Sequence, residues 1–370
     1  MRMAMAVLGL TWLLGCGGSS SGPYIALGIN PWAEVTGTIQ AAQSQFPGGL
    51  TVEVLTPAGV VYSQSFGSLT NQSYVPVASS SKWVSATVLL RLVEQGTLSL
   101  DTQAKSLLTD RNGAPWAGNM GEIRLRHLLS FTSGISGDVA ASDDTAITLD
   151  EAVKLIYDSQ ATTAAVPGST FYYGSTHLRI AARMAEVAAS KPWRQLFDDQ
   201  LRVPLGWSAL STYGGAQNPN PAGSLACTGL EYTRFLMLQL RQGLDGSTRL
   251  LTQATLQQQR QDAFGVGTTL VYSPYLAVQG KAFHYGFGNW LETANGLAPS
   301  ATNPVNRWSS TGKFGWAPWV AADGTYAALI MTQQADLPAS FVPSETLKAQ
   351  LDPLIRTALA QSPGVVRVVP

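Results

Sequence analysis

Ser79-Ser80-Ser81-Lys82-Trp83-Val84-Ser85-Ala86-Thr87-Val88-Leu89-Leu90 opens with a hydroxyl and an amine three residues apart and continues as a nearly unbroken apolar run to Val93. In a helix, residues three apart share a face, so Ser79 and Lys82 meet at its start. A serine hydroxyl becomes a good nucleophile when a neighbouring amine takes its proton, and a helix start favours the negative charge that follows. Val84, Val88 and Leu92 form one stripe and Ala86, Leu89, Leu90 and Val93 fill most of the rest, which predicts a helix running through a core until Gly96. Burial at such an entry lowers the pKa of Lys82 and frees a neutral amine to act as a base.

A second S-x-x-K spans Ser310 to Lys313, but Gly312, Gly315 and Pro318 argue for a strand and turns there, which would part its serine from its lysine. Gly18-Ser19-Ser20-Ser21-Gly22 matches a G-x-S-x-G elbow in letters only, because no strand precedes it and Pro23 follows.

Only 12% of the residues are charged and the formal net charge is zero, so the basic footprint that nucleic acid needs is missing. Met1-Arg2-Met3, the short apolar stretch Ala4 to Leu14 and then Leu13-Leu14-Gly15-Cys16 resemble the lipobox of bacterial lipoproteins. That resemblance implies cleavage before Cys16, acylation of Cys16 and a lipid anchor on the extracytoplasmic side of a bacterial membrane. The expected organisation is a signal peptide over 1–15, a lipidated tether over 16–34 and one domain over 35–370. Cys227 is then left without a disulfide partner and is expected to be a small buried residue. His127, His177 and His284 are scattered, and no ligand spacing points to a metal.

Along the chain, Leu50 to Leu55 and Val60 to Phe66 read as a hairpin around Thr56-Pro57-Ala58-Gly59. Helices are expected near Leu149 to Tyr157, Ser175 to Ala189, Trp193 to Leu201 and Leu230 to Leu240. Strands are expected over Tyr285 to Glu292, Arg307 to Thr311, Trp316 to Ala321 and Tyr326 to Thr332, and an amphipathic helix over Ser344 to Ala360. This order predicts an α/β (α+β) fold: a central antiparallel sheet drawn from 35–85 and 280–362 and flanked by helices, with an all-helical part inserted over about 86–280 and a site in the cleft between.

Several segments together resemble the serine β-lactamase and D,D-peptidase superfamily, especially its class C and esterase-like branch. Beside Ser79 to Lys82 stand Gly96-Thr97-Leu98-Ser99-Leu100-Asp101, similar to a G-x-L-x-L-D element, and Arg126-His127-Leu128-Leu129-Ser130-Phe131-Thr132-Ser133-Gly134, similar to R-H-L-L-x-H-T-S-G with Phe131 in place of His. Pro167-Gly168-Ser169-Thr170-Phe171-Tyr172-Tyr173-Gly174-Ser175 resembles P-G-x-x-F-x-Y-S-N, Pro204-Leu205-Gly206-Trp207 resembles P-L-G-M, and Ser310-Thr311-Gly312 falls where K-T-G or H-T-G is usual. The resemblance runs from about Ile39 to the C-terminal helix. It implies Ser79 as nucleophile, Lys82 and Tyr173 as bases, an oxyanion hole from the N–H groups of Ser79 and Lys313, and substrate contacts from Ser175, Ser310, Thr311 and Gly312. The implied partner is a small molecule or peptide with an ester or amide carbonyl, and no cofactor is implied.

Two departures bear on the substrate. Ser175 replaces an amide side chain, and Ser310 replaces the cationic or donor side chain that would hold a substrate carboxylate. A neutral ester or amide is therefore expected ahead of a β-lactam. A D-amino-acid peptidase or penicillin-binding enzyme, a β-lactamase, and a catalytically silent envelope-binding lipoprotein stand as alternatives.

Overall fold

The computed structural model describes residues 30–362, so the expected signal peptide and Cys16 lie outside the described residues. Helix α1 (Ala33–Ala42) leads into the hairpin β1 (Leu50–Thr56) and β2 (Gly59–Phe66), followed by α2 (Ser81–Glu94). The middle of the chain carries α3 (Thr176–Ala189) and α4 (Gly229–Leu240) among shorter helices. It closes with β3 (His284–Tyr285), β4 (Trp290–Thr293), β5 (Val305–Ser309), β6 (Ala317–Ala321), β7 (Ala327–Thr332) and α5 (Val342–Gln361).

The sheet has seven strands in the order β3-β4-β5-β6-β7-β1-β2, with every neighbouring pair antiparallel. The two ends of the chain meet at its middle, where Val52 faces Ile330 across β1 and β7. β7 is buried on both faces and reads as an unbroken apolar run, and its alternate residues serve two different cores. Ala328 and Ile330 pack with α1 and α5, whereas Ala327, Leu329 and Met331 face α2 and the helical part. α2 is buried on all sides from Ser81 to Leu90, as its sequence requires, and ends just before Gly96.

Three expectations need adjustment. Tyr285 to Glu292 is a tight hairpin of β3 and β4, because residues 286–289 turn and Gly288 has φ +80. That turn presses on α2, and a Cβ at Gly288 would stand 2.5 Å from the Ala86 Cβ and 2.6 Å from the Lys82 carbonyl. The inserted part is helical in its long elements but adds short strand pairs, among them Val75–Pro76 with Leu225–Cys227 and a parallel pair of Thr170–Tyr172 with Thr269–Tyr272. α1 was not anticipated, although Val35, Ile39 and Ala42 keep helical spacing and are its buried residues.

Candidate active site

Of the three serines in Ser79-Ser80-Ser81, two are occupied with holding the turn. Ser80 Oγ donates its proton to the Ser310 carbonyl and lies 3.2 Å from that of Trp316, and Ser81 Oγ donates to Ala78 O at 2.6 Å. Ser79 sits in the single 3-10 turn (Ala78–Ser80) ahead of α2 and is the one that faces a cavity of about 290 Å³. Ala78 before it has φ +47, a left-handed conformation that costs a non-glycine residue energy and fixes the angle at which Ser79 enters.

Lys82, only 2% exposed, points its amine at Ser79 Oγ at 3.0 Å and at the Ala222 carbonyl at 2.8 Å. Burial pulls its pKa down to about 7, against the opposing pull of the Asp138 carboxylate. The amine also lies 4.8 Å from the centre of the Tyr173 ring. Tyr173 stacks on Trp290 at 4.9 Å and meets Phe131 edge-on at 5.4 Å. Burial pushes its phenol well up, despite the Ser79 side chain acting the other way, so the ring carries its proton at neutral pH. Of the two expected bases, Lys82 is the one electrostatically ready to accept a proton.

Phe131, where the resemblance would place a histidine, is buried with φ +59 and stacks on His177 at 4.9 Å. The His177 Nε2 lies 2.8 Å from the Tyr172 carbonyl, which can only accept, so Nε2 carries the proton and Nδ1 accepts from Ser133 Oγ at 2.9 Å. Burial lowers the pKa of His177 to about 4. A neutral histidine thus pins the backbone next to Tyr173.

Ser175, Thr311 and Lys313 line the same cavity as Ser79, Lys82 and Tyr173. Ser175 stands at the N-cap of α3, but its side chain does not cap. Asp138 does so from another loop: its Oδ1 accepts from Ser175 N at 2.6 Å, Thr176 N at 3.0 Å and Thr176 Oγ1 at 3.0 Å. Thr311 Oγ1 donates to Glu345 at 2.5 Å, tying the segment after β5 to a buried group in which Lys348 pairs with Glu292 and Glu345. Burial raises the Glu292 carboxyl, but Lys348 and Arg307 outweigh it and hold the group well below the usual carboxylate range. The N–H groups of Ser79 and Lys313 make no hydrogen bond among the described residues, which leaves both free for a carbonyl oxygen.

Ser310 and Gly312 work behind the cavity rather than in it. Ser310 is 1% exposed and donates to the Ser79 carbonyl at 3.2 Å, so it cannot also hold a substrate. Gly312 was expected to admit substrate, but a Cβ there would lie 2.3 Å from the Val77 carbonyl: the glycine lets the segment after β5 press against the nucleophile turn. Lys313 turns its amine to Asp336 at 2.7 Å, in a half-exposed pair. Trp316 and Trp319 are core residues, and Trp308 lies under Arg260. Asp138, Trp290, Tyr272 and Phe341 are cavity residues that the sequence reading missed. Only Asp138 had a chemical signal, a carboxylate just beyond Thr132-Ser133-Gly134.

A family model described as Beta-lactamase matches residues 36–352. Penicillin-binding protein 4 of Amycolatopsis lactamdurans is 26% identical over 305 residues, 74% of this chain and 76% of its own length. Among solved structures, a candidate β-lactamase from Bacteroides dorei DSM 17855 superposes with a TM-score of 0.71 at 29% identity, covering 86% of this chain and 98% of that one. EstCE1, a hydrolase with promiscuous acyltransferase activity, shares the fold with a TM-score of 0.65 at 18% identity, over 86% of this chain and 98% of its own.

Proposed function

The chain belongs to the β-lactamase family of serine hydrolases, and from that premise we propose that it cleaves an ester or amide carbonyl through an acyl-enzyme on Ser79. The observation that carries this reading is the 3.0 Å contact between Ser79 Oγ and a buried amine with a pKa of about 7. In its neutral form Lys82 accepts the Ser79 proton as Oγ bonds to the carbonyl carbon. The oxyanion takes the free N–H groups of Ser79 and Lys313. Tyr173, protonated, gives its proton to the departing alcohol or amine and regains one from the Lys82 ammonium. Water then attacks the acyl carbon by the reverse route, losing its proton to the same pair, and releases the acid. No cofactor enters the scheme.

The expected preference for an ester over a β-lactam is supported by the two positions nearest the place where a substrate carboxylate would be held. Ser310 is turned away, and Lys313 is held by Asp336. A penicillin-binding or peptidase-like activity is the second reading, favoured by the likeness to penicillin-binding protein 4. A short-chain p-nitrophenyl ester and benzylpenicillin separate the two. Ester turnover without a penicilloyl adduct selects the esterase, and a long-lived adduct on Ser79 selects the second. Neither reaction above the level of Ser79→Ala would leave the silent, envelope-binding alternative.

The lipid anchor at Cys16, the extracytoplasmic location and the single domain over 35–370 remain part of this proposal. Expression of the full chain in a bacterial host, with mass analysis of the mature N-terminus, is expected to give an acylated Cys16, and an intact Met1 would contradict it.

A further inference from the structure

We propose that the cavity selects a positively charged substrate, an ester or amide bearing a protonated amine near its scissile carbonyl, and that Asp138 reads that charge. This rests on the serine hydrolase reading of Ser79. The Asp138 Oδ1 is fully engaged by Ser175 and Thr176 at the start of α3. Its Oδ2 makes no hydrogen bond or ion pair among the described residues, and the side chain is exposed on the cavity wall. Of the two cations lining the cavity, Lys313 is paired with Asp336, and Lys82 directs its amine to Ser79 Oγ and the Ala222 carbonyl. Neither forms an ion pair with Asp138, so among the described residues its carboxylate faces the cavity without a salt-bridge partner.

The surroundings suit an ammonium group. Tyr272, Tyr275, Trp290 and Phe341 line the same cavity, and the Tyr272 ring packs on Tyr172 at 5.1 Å. The Asp138 carboxylate is close enough to help raise the phenols of Tyr172 and Tyr173. A carboxylate beside aromatic faces attracts a cation by charge and by the ring quadrupoles together. The same carboxylate repels a substrate carboxylate, which agrees with the loss of a cation at Ser310. Helix capping alone would explain Oδ1 but leaves Oδ2 free.

Asp138→Asn separates the two roles, since an amide oxygen still accepts the three α3 donors while the charge is lost. The probes are p-nitrophenyl esters with acyl chains of equal length ending in ammonium, methyl or carboxylate. The native chain is expected to prefer the ammonium ester over the methyl ester about tenfold in kcat/KM, the size of one charge-assisted contact, with the carboxylate ester slowest. In Asp138→Asn the ammonium-to-methyl ratio falls toward one, whatever the absolute rates. A native ratio of one or below, or a ratio that survives Asp138→Asn, overturns the proposal. Calorimetric binding of butylammonium, against butanol as the neutral control, judges the site without turnover. Should Ser79 fail to react with any ester while butylammonium binds the native chain and not Asp138→Asn, the hydrolase reading falls and the ammonium site stands.

Discussion

Replacing Lys82 with methionine is expected to abolish activity and yet make the protein more stable at acidic pH, a gain that is lost as the pH rises toward 9. The Lys82 pKa falls from 10.5 in the unfolded chain to about 7 in the fold, because burial disfavours the charged amine. Below about pH 7 both states hold the proton and the full cost of burying it is present. Between about 7 and 10.5 the unfolded chain holds a proton that the folded chain has released, so stability rises with pH; above 10.5 both are neutral and the cost is gone. Linkage puts this cost at about 5 kcal/mol at pH 5 and about 2 kcal/mol at pH 9. Methionine removes it but loses the contacts to Ser79 Oγ and the Ala222 carbonyl, which offsets roughly 2–4 kcal/mol including the orphaned carbonyl. The variant should therefore gain on the native chain at pH 5 and lose that gain by pH 9, a swing of about 3 kcal/mol. Urea unfolding of both proteins at the two pH values measures it. A stability difference that does not change with pH would refute the depressed amine and with it the base assigned to Ser79.

Tyr173→Phe should lower kcat/KM by about a hundredfold through loss of a proton donor, while the inflection near pH 7 persists because it belongs to Lys82; disappearance of the inflection would move the titration to the tyrosine. Gly312→Ala forces a Cβ to 2.3 Å from the Val77 carbonyl, so it should cost about 1–3 kcal/mol of stability and much of kcat, read by denaturation and ester turnover. Lys348→Met leaves the buried Glu345 without its ion-pair partner, while Glu292 keeps Arg307, and is expected to destabilise by about 3 kcal/mol in the same unfolding assay.

What could be read from the sequence was what repeats or sits on a regular element. The apolar girth of α2 set its burial, and the run Tyr326 to Thr332 was legible as a strand. Ser79, Lys82 and Tyr173 were legible because the first two lie on one turn and the third in a segment with a recognisable pattern. Asp138 and Trp290 were not, since each acts across a fold contact: Asp138 caps a helix 37 residues later in the chain, and Trp290 reaches Tyr173 from the sheet. Ser310 and Gly312 were placed correctly along the chain, but their roles turned on what faces them, the Ser79 and Val77 carbonyls, and no local pattern carries that information. The turn at Gly288 was misread as strand because its purpose, clearance for α2, is likewise tertiary.

The most direct test of the central claim is stoichiometric labelling by a fluorophosphonate, with the adduct located by peptide mass and its rate followed from pH 5 to pH 9. One adduct per chain is expected, on Ser79, forming at a rate that rises through an inflection near pH 7 and lost in Ser79→Ala. An adduct on another residue, or none on Ser79 at any pH, would contradict it.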